Sequence, residues 1–122
     1  MEKCFIQMRA YNDEKTIKRA IDSVLMQDYP NVELIVLDDG STDHTGDIVK
    51  GYDNPNVHYV RQQNKGPAGA FRAIVAETLR RMANAARKQY SELPVVFAGG
   101  VMSSEIVRDY LTARMHNVSF VP

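Results

Sequence analysis

The chain has 122 residues, 15 basic and 15 acidic side chains, a formal net charge of zero, and 44% hydrophobic against 25% charged residues. This is enough chain for one soluble domain with a buried core, and its neutral balance supplies no field to gather nucleic acid or an anionic membrane surface. The single cysteine excludes an internal disulfide, and neither a bilayer-length apolar run nor a signal-peptide pattern is visible, so a single domain over residues 1–122 in a reducing, cytoplasmic setting is expected.

Residues 4–8 form a short apolar-leaning run that reads as a first strand, with Cys4 a small core residue in it. Residues 9–13 make a loop that carries Tyr11 and Asn12 at the strand's carboxyl end. From Glu14 the pattern becomes helical: Ile17, Ile21, Val24 and Leu25 recur at three- and four-residue steps, with Asn12 or Asp13 as the cap. After Pro30 a second strand is expected over 32–37. A second helix over 45–52 turns Ile48, Val49 and Tyr52 inward. Asp53-Asn54-Pro55-Asn56 is turn chemistry, and 57–60 reads as a third strand. Strand, helix, strand, helix, strand predicts parallel pairing with right-handed crossovers.

A long helix follows, from residue 68 or 71 to 90. Its expected inner stripe is Val75, Leu79, Met82, Ala86 and Tyr90, with Arg80, Arg81, Arg87 and Lys88 on the wet side. Residues 94–98 read as a fourth strand whose unbroken apolar character predicts burial on both faces. Gly99-Gly100 form a turn, and Ser103 or Ser104 caps a fourth helix with Ile106, Val107, Tyr110, Leu111 and Met115 inward. Residues 118–121 read as a fifth strand.

The stretch with most chemistry in it is Val32 to Asp43, where an apolar strand ends in Asp38-Asp39, turns on Gly40 and enters a helix near Asp43. Ligands of open parallel sheets lie beyond the carboxyl ends of the strands. Ionised carboxylates accept hydrogen bonds there from a base N–H or from ribose hydroxyls. Asp38 and Asp39 can equally serve only to end the strand, and both readings stay open at this point. Asp43 reads as a helix cap.

Elsewhere the patterns are plainer. His44, His58 and His116 have no metal-ligand spacing, and no metal site is expected. Ser41, Ser103 and Ser104 have no nucleophile context. Asp43, His44 and Asp47 complement a helix dipole. Lys65-Gly66-Pro67-Ala68-Gly69 lacks the spacing of a phosphate loop. Lys15, Lys18 and Arg19 form a solvated helix face, and no basic patch with interleaved aromatics indicates nucleic acid.

Residues 5–73 resemble the amino-terminal half of family 2 glycosyltransferases, which have the GT-A fold. The resemblance is carried by Ile6-Gln7-Met8-Arg9-Ala10-Tyr11-Asn12, Ala20-Ile21-Asp22-Ser23-Val24-Leu25-Met26-Gln27, Glu33 through Asp43, and Asn64-Lys65-Gly66-Pro67. It implies a site for the nucleotide of a sugar donor, usually UDP. Ala10 and Tyr11 would flank the base, Asp39 of the Asp38-Asp39 pair would accept from the uracil ring, and Arg72 lies near where the family often keeps an Arg at the start of the next helix. It also implies an Asp-x-Asp on the following strand, which holds Mg²⁺ or Mn²⁺ on the donor's diphosphate, and a later carboxylate that deprotonates the acceptor. No carboxylate occurs between Glu92 and Glu105, so no catalytic residue is assigned.

Residues 74–121, through Leu93-Pro94-Val95-Val96-Phe97-Ala98-Gly99-Gly100-Val101-Met102-Ser103-Ser104, resemble the carboxyl-terminal lobe of the actin/Hsp70/sugar-kinase superfamily, nearest to its sialoglycoprotein-endopeptidase-like branch. That implies an alternative adenine-nucleotide site at Gly99 and Gly100, where the backbone can approach a ligand closely. Together the two resemblances lead to an expected chimera, engineered as a recombined α/β fold and joined near residues 67–75. The fold expected is a three-layer α/β sandwich on a mostly parallel, Rossmann-like five-stranded sheet of order 3-2-1-4-5. Residual UDP binding without catalysis is the function expected first. A family 2 glycosyltransferase acting on a UDP-sugar and an adenine-nucleotide module are the alternatives. The partners expected are a nucleotide and, through a poorly packed seam, a second copy of the chain; a monomer is equally compatible.

Overall fold

The computed structural model describes residues 2–90, 94–98 and 104–121. The chain divides into two compact units, Met1–Ile74 and Val75–Pro122. The first holds β1 (Cys4–Ala10), α1 (Ile17–Leu25), β2 (Val32–Asp38), α2 (Thr45–Lys50) and β3 (Val57–Arg61), together with the opening turns of α3 (Gly66–Tyr90). Each strand reaches the next through a helix or helical turn, so the strands run the same way, and β1 and β3 both pair parallel to β2. The order β1-β2-β3 is the expected 3-2-1.

The centre of this unit is β2. Leu34, Ile35, Val36 and Leu37 are all 0% exposed, as an unbroken apolar run must be when both faces of its strand are covered. On one face Leu34 and Val36 pack with Ala10, Ile17, Ile21 and Val49 beneath α1 and α2. On the other, Leu37 packs with Ala70, Ala73 and Ile74 at the start of α3. The first unit alone is therefore helix, sheet, helix. Helix α1 begins three residues later than Glu14, after a turn over 14–16 in which the Thr16 and Ile17 amides both bond the Asp13 carbonyl. Cys4, expected in the core, is exposed; it is the first residue of an edge strand.

The second unit holds the remainder of α3, β4 (Val95–Ala98), α4 (Glu105–Arg114) and β5 (Val118–Val121). Strands β4 and β5 pair parallel with each other, so the described strands form a three-stranded and a two-stranded sheet. The expected single five-stranded sheet of order 3-2-1-4-5 does not form. The expected burial of the fourth strand on both faces fails with it: Phe97 is buried, but Val96 is 59% exposed. A four-residue strand covered on one side alternates in and out, whereas the interior of a wide sheet would have hidden both faces.

The core of this unit is Ala76, Ala83, Phe97, Val107, Leu111 and Met115, with Phe97 stacked on Phe120. Helix α4 turns inward the residues expected of it except Ile106, which is exposed. The stripe expected on α3 is displaced. Leu79 packs partly buried against this core, but Met82 and Ala86 are exposed, and the buried positions in this unit's part of the helix are Ala76, Glu77, Thr78 and Ala83, small residues beside a carboxylate. The side chain of Tyr90 lies outside the described residues. Glu77, 1% exposed, accepts from Arg80 at 2.6 Å, Arg81 at 2.8 Å and the Tyr110 hydroxyl at 2.5 Å. Arg80 and Arg81, read as a wet face, fold back onto this buried anion. Burial together with the neighbouring carboxylate pushes the Tyr110 phenol up to about 12. Among the described residues no helix is long and apolar enough to cross a membrane.

Candidate functional site

At the carboxyl end of the first unit's sheet, register places Ala10 of β1 and Arg61 of β3 on either side of Asp38. The chain then turns through Asp39, Gly40 and Ser41. Gly40 has φ +81, and a Cβ there would stand 2.8 Å from the Asn64 backbone nitrogen. Both the left-handed dihedral and the close passage of the 62–65 loop therefore demand glycine. The turn is clamped from both sides, since the Asp39 amide donates to the Ala10 carbonyl and the Gln62 amide to the Asp38 carbonyl, at 2.9 and 3.0 Å.

The two adjacent carboxylates have different fates. Asp38 is 0% exposed. Its Oδ1 accepts the Ser41 amide at 2.8 Å, and its Oδ2 accepts the Tyr59 hydroxyl at 2.5 Å and Arg61 Nη1 at 3.3 Å. Arg61 also reaches the Ser41 carbonyl at 2.9 Å. Burial alone would drive the Asp38 carboxyl up; the bonds from Ser41 and Tyr59, with the Arg61 charge, outweigh it and hold the group below its ordinary range. Both oxygens are occupied, so Asp38 braces the turn rather than facing a ligand.

Asp39 is 4% exposed. Its Oδ1 accepts Gln62 Nε2 at 2.8 Å and the Lys65 amide at 2.9 Å. Its Oδ2 takes no bond from a described residue. Arg87 Nε is the only deeply buried, partnerless polar side-chain atom among the described residues, so Oδ2 is in reach of solvent. A carboxylate held on one oxygen and open on the other is an acceptor for one incoming N–H or O–H donor.

The rim is built by two loops that bond each other. Asn12, at φ +51, donates its amide to Ser41 Oγ at 2.9 Å and accepts the Thr42 amide on its side chain at 2.8 Å. The Asp13 amide bonds Thr45 Oγ1 at 2.8 Å, and Thr45 in turn is held by Asp43 at 2.5 Å. Asp43 also accepts the Glu14 amide at 3.2 Å, while Glu14 takes the His44 amide and Nδ1 at 3.0 and 2.9 Å. That bond from Glu14 raises the His44 pKa. Asp43, expected only to cap a helix, thus bonds α2's first residue and ties in the neighbouring loop. Tyr11 is 49% exposed beside this rim, with its amide on Asp13 Oδ2.

Ala10, Tyr11, Asp38 and Asp39 therefore do come together at one end of one sheet. Tyr59, Arg61, Gln62 and Lys65 were missed. Tyr59 and Arg61 stand two apart in β3 on the face that carries Asp38, a signal readable once strand register is known. Gly99 and Gly100, the alternative nucleotide site, lie outside the described residues. Among the described residues no group of three or more His, Cys, Asp or Glu could hold a metal ion. With both Asp38 oxygens bonded and only Oδ2 of Asp39 open, these two carboxylates alone offer too few free ligands to hold a divalent ion.

Residues 6–82 match the domain described as glycosyl transferase family 2. Among curated proteins the chain is 34% identical over 71 residues to glycosyltransferase GlyA of Streptococcus pneumoniae, covering 57% of this chain and 10% of that one. It is 39% identical over 71 residues to the Escherichia coli UDP-Glc:alpha-D-GlcNAc-diphosphoundecaprenol beta-1,3-glucosyltransferase WfaP, covering 57% and 28%. To the succinoglycan biosynthesis protein ExoO of Rhizobium meliloti it is 43% identical over 65 residues, covering 52% and 19%. The matched segment thus spans between a tenth and just over a quarter of these relatives' length. The three strands of the first unit and the Asp38-Asp39 turn lie within the matched residues or at their edge, and the parallel α/β arrangement is compatible with a GT-A-like fold.

Proposed function

The chain belongs to glycosyl transferase family 2, and from that premise we propose that its first unit binds the uridine nucleotide of a sugar donor for a family 2 glycosyl transfer. The observation that carries the reading is the asymmetry of the carboxylate pair. Asp38 is fully bonded inside the turn, whereas Asp39 keeps Oδ2 open at the carboxyl end of a parallel sheet, the place where such sheets bind ligands. One open acceptor matches the single ring N–H of uracil. Cytosine offers a ring acceptor at that position and would set lone pair against lone pair. Tyr11, exposed beside it, supplies a flat surface for the base. WfaP carries a UDP-sugar donor in its name, which supports a uridine nucleotide here. Transfer itself requires groups beyond this turn, and the relatives are several times longer than the matched segment.

The chimera reading keeps one observation on its side: the units divide between Ile74 and Val75, inside the 67–75 window. Against it, the family match continues to residue 82, so we place the transferase reading first. The test is an NMR titration of labelled protein with UDP and CDP. UDP should shift Ala10, Tyr11 and the 39–41 amides more strongly than CDP. Asp39→Ala should weaken UDP about ten- to a hundredfold, as for a lost hydrogen bond to a charged group. Equal affinities of wild type and Asp39→Ala would place the nucleotide elsewhere.

A further inference from the structure

We propose that Gln62 is a positioning residue that sets base discrimination by holding the Asp39 carboxylate in one orientation; this rests on the uridine reading of the same site. Asp39 Oδ1 has two donors of different kinds. The Lys65 amide, at 2.9 Å, belongs to the backbone and is retained in any side-chain variant. Gln62 Nε2, at 2.8 Å, is the only side-chain donor to Asp39 among the described residues. Gln62 is itself fixed, because its amide donates to the Asp38 carbonyl at 3.0 Å, and its side chain is half-buried.

Two donors on Oδ1 oppose rotation of the carboxylate, and the open lone pairs of Oδ2 then face one direction. A carboxylate turned by one donor alone can rotate and present either oxygen, so it would accept a base N–H without a preferred geometry. Gln62 touches no base in this arrangement. Its influence on recognition passes through Asp39, and it reads as a specificity device rather than a contact.

The experiment uses the full chain and its Gln62→Leu variant, of similar length but without a donor, with two readouts. The first needs no nucleotide: the Asp39 carboxyl carbon resonance in the free protein should move in the variant, while those of Asp43 and Glu77 stay. The second compares UDP with its N3-methyl analogue, which lacks the ring N–H. Wild type should prefer UDP by about tenfold, and Gln62→Leu should reduce that preference to about two- or threefold with an unchanged melting temperature. A Gln62→Lys variant, which restores a donor, should recover part of the preference. An unmoved Asp39 resonance, or a preference fully kept in Gln62→Leu, overturns the role of Gln62. Wild-type protein that ignores both nucleotides overturns the uridine reading instead, and the resonance still decides whether Gln62 holds Asp39.

Discussion

Two adjacent aspartates, identical in isolation, are given opposite roles by their partners. Asp38 meets a hydroxyl, an amide and a guanidinium, while Asp39 keeps an oxygen open. The depressed pKa of Asp38 has a consequence with a definite sign. A carboxyl held below its ordinary 3.8 in the folded chain contributes stability that is complete above that value and is lost as pH falls below it toward the native value. Asp38→Asn should therefore cost about 3 kcal/mol at pH 7, and the deficit should shrink in acid. Urea unfolding at pH 7 and pH 3 measures it; equal deficits at both would mean that the charge of Asp38 contributes nothing. Asp39→Asn should leave unfolding at pH 7 within about 1 kcal/mol of wild type, because a group with one open oxygen loses less when neutralised.

At the scale of elements, the turn after β2 depends on a glycine and on two loops that hold each other. Gly40→Ala forces a side chain into the left-handed region and against the Asn64 amide, 2.8 Å from the new Cβ. It should destabilise the first unit by about 1–3 kcal/mol and disturb the 62–65 loop as well as its own turn. Amide shifts of 62–65 would show this; changes confined to residues 39–41 would mean that the loop does not crowd Gly40. Amphipathic α1, α2 and α4 turn inward most of the residues that periodicity selects, because their inner faces are large aliphatics. In the second unit's part of α3 the buried positions are alanines, a threonine and a charge-paired glutamate, and the large apolar Met82 lies off that face.

At the scale of the whole molecule, each unit has its own core, so each answers its own cavity. Leu34→Ala, in the middle of β2, and Leu111→Ala, in α4, remove side chains that are both 0% exposed. Each should cost about 2–5 kcal/mol. Hydrogen exchange should show Leu34→Ala lowering protection across β1, β2 and β3, and Leu111→Ala lowering it in β4, β5 and α4. Uniform loss throughout the chain from either variant would mean that the two units unfold as one.

The amino-acid sequence by itself determined the alternation of strands and helices, the parallel order of the first three strands and the place of the turn at Asp38-Asp39-Gly40. These depend on periodicity, on connection length and on glycine's access to positive φ, all of them local. Only the tertiary structure decided that β4 and β5 stand as a pair, since an apolar run of four residues does not encode which strand edge it will meet. It also decided which carboxylate is open. Apart from the Ser41 amide, three positions on, the donors that occupy Asp38 and hold Asp39 arrive from residues more than twenty positions away on β3 and the loop beyond it, and a hydrogen bond is assigned by distance in space, not along the chain.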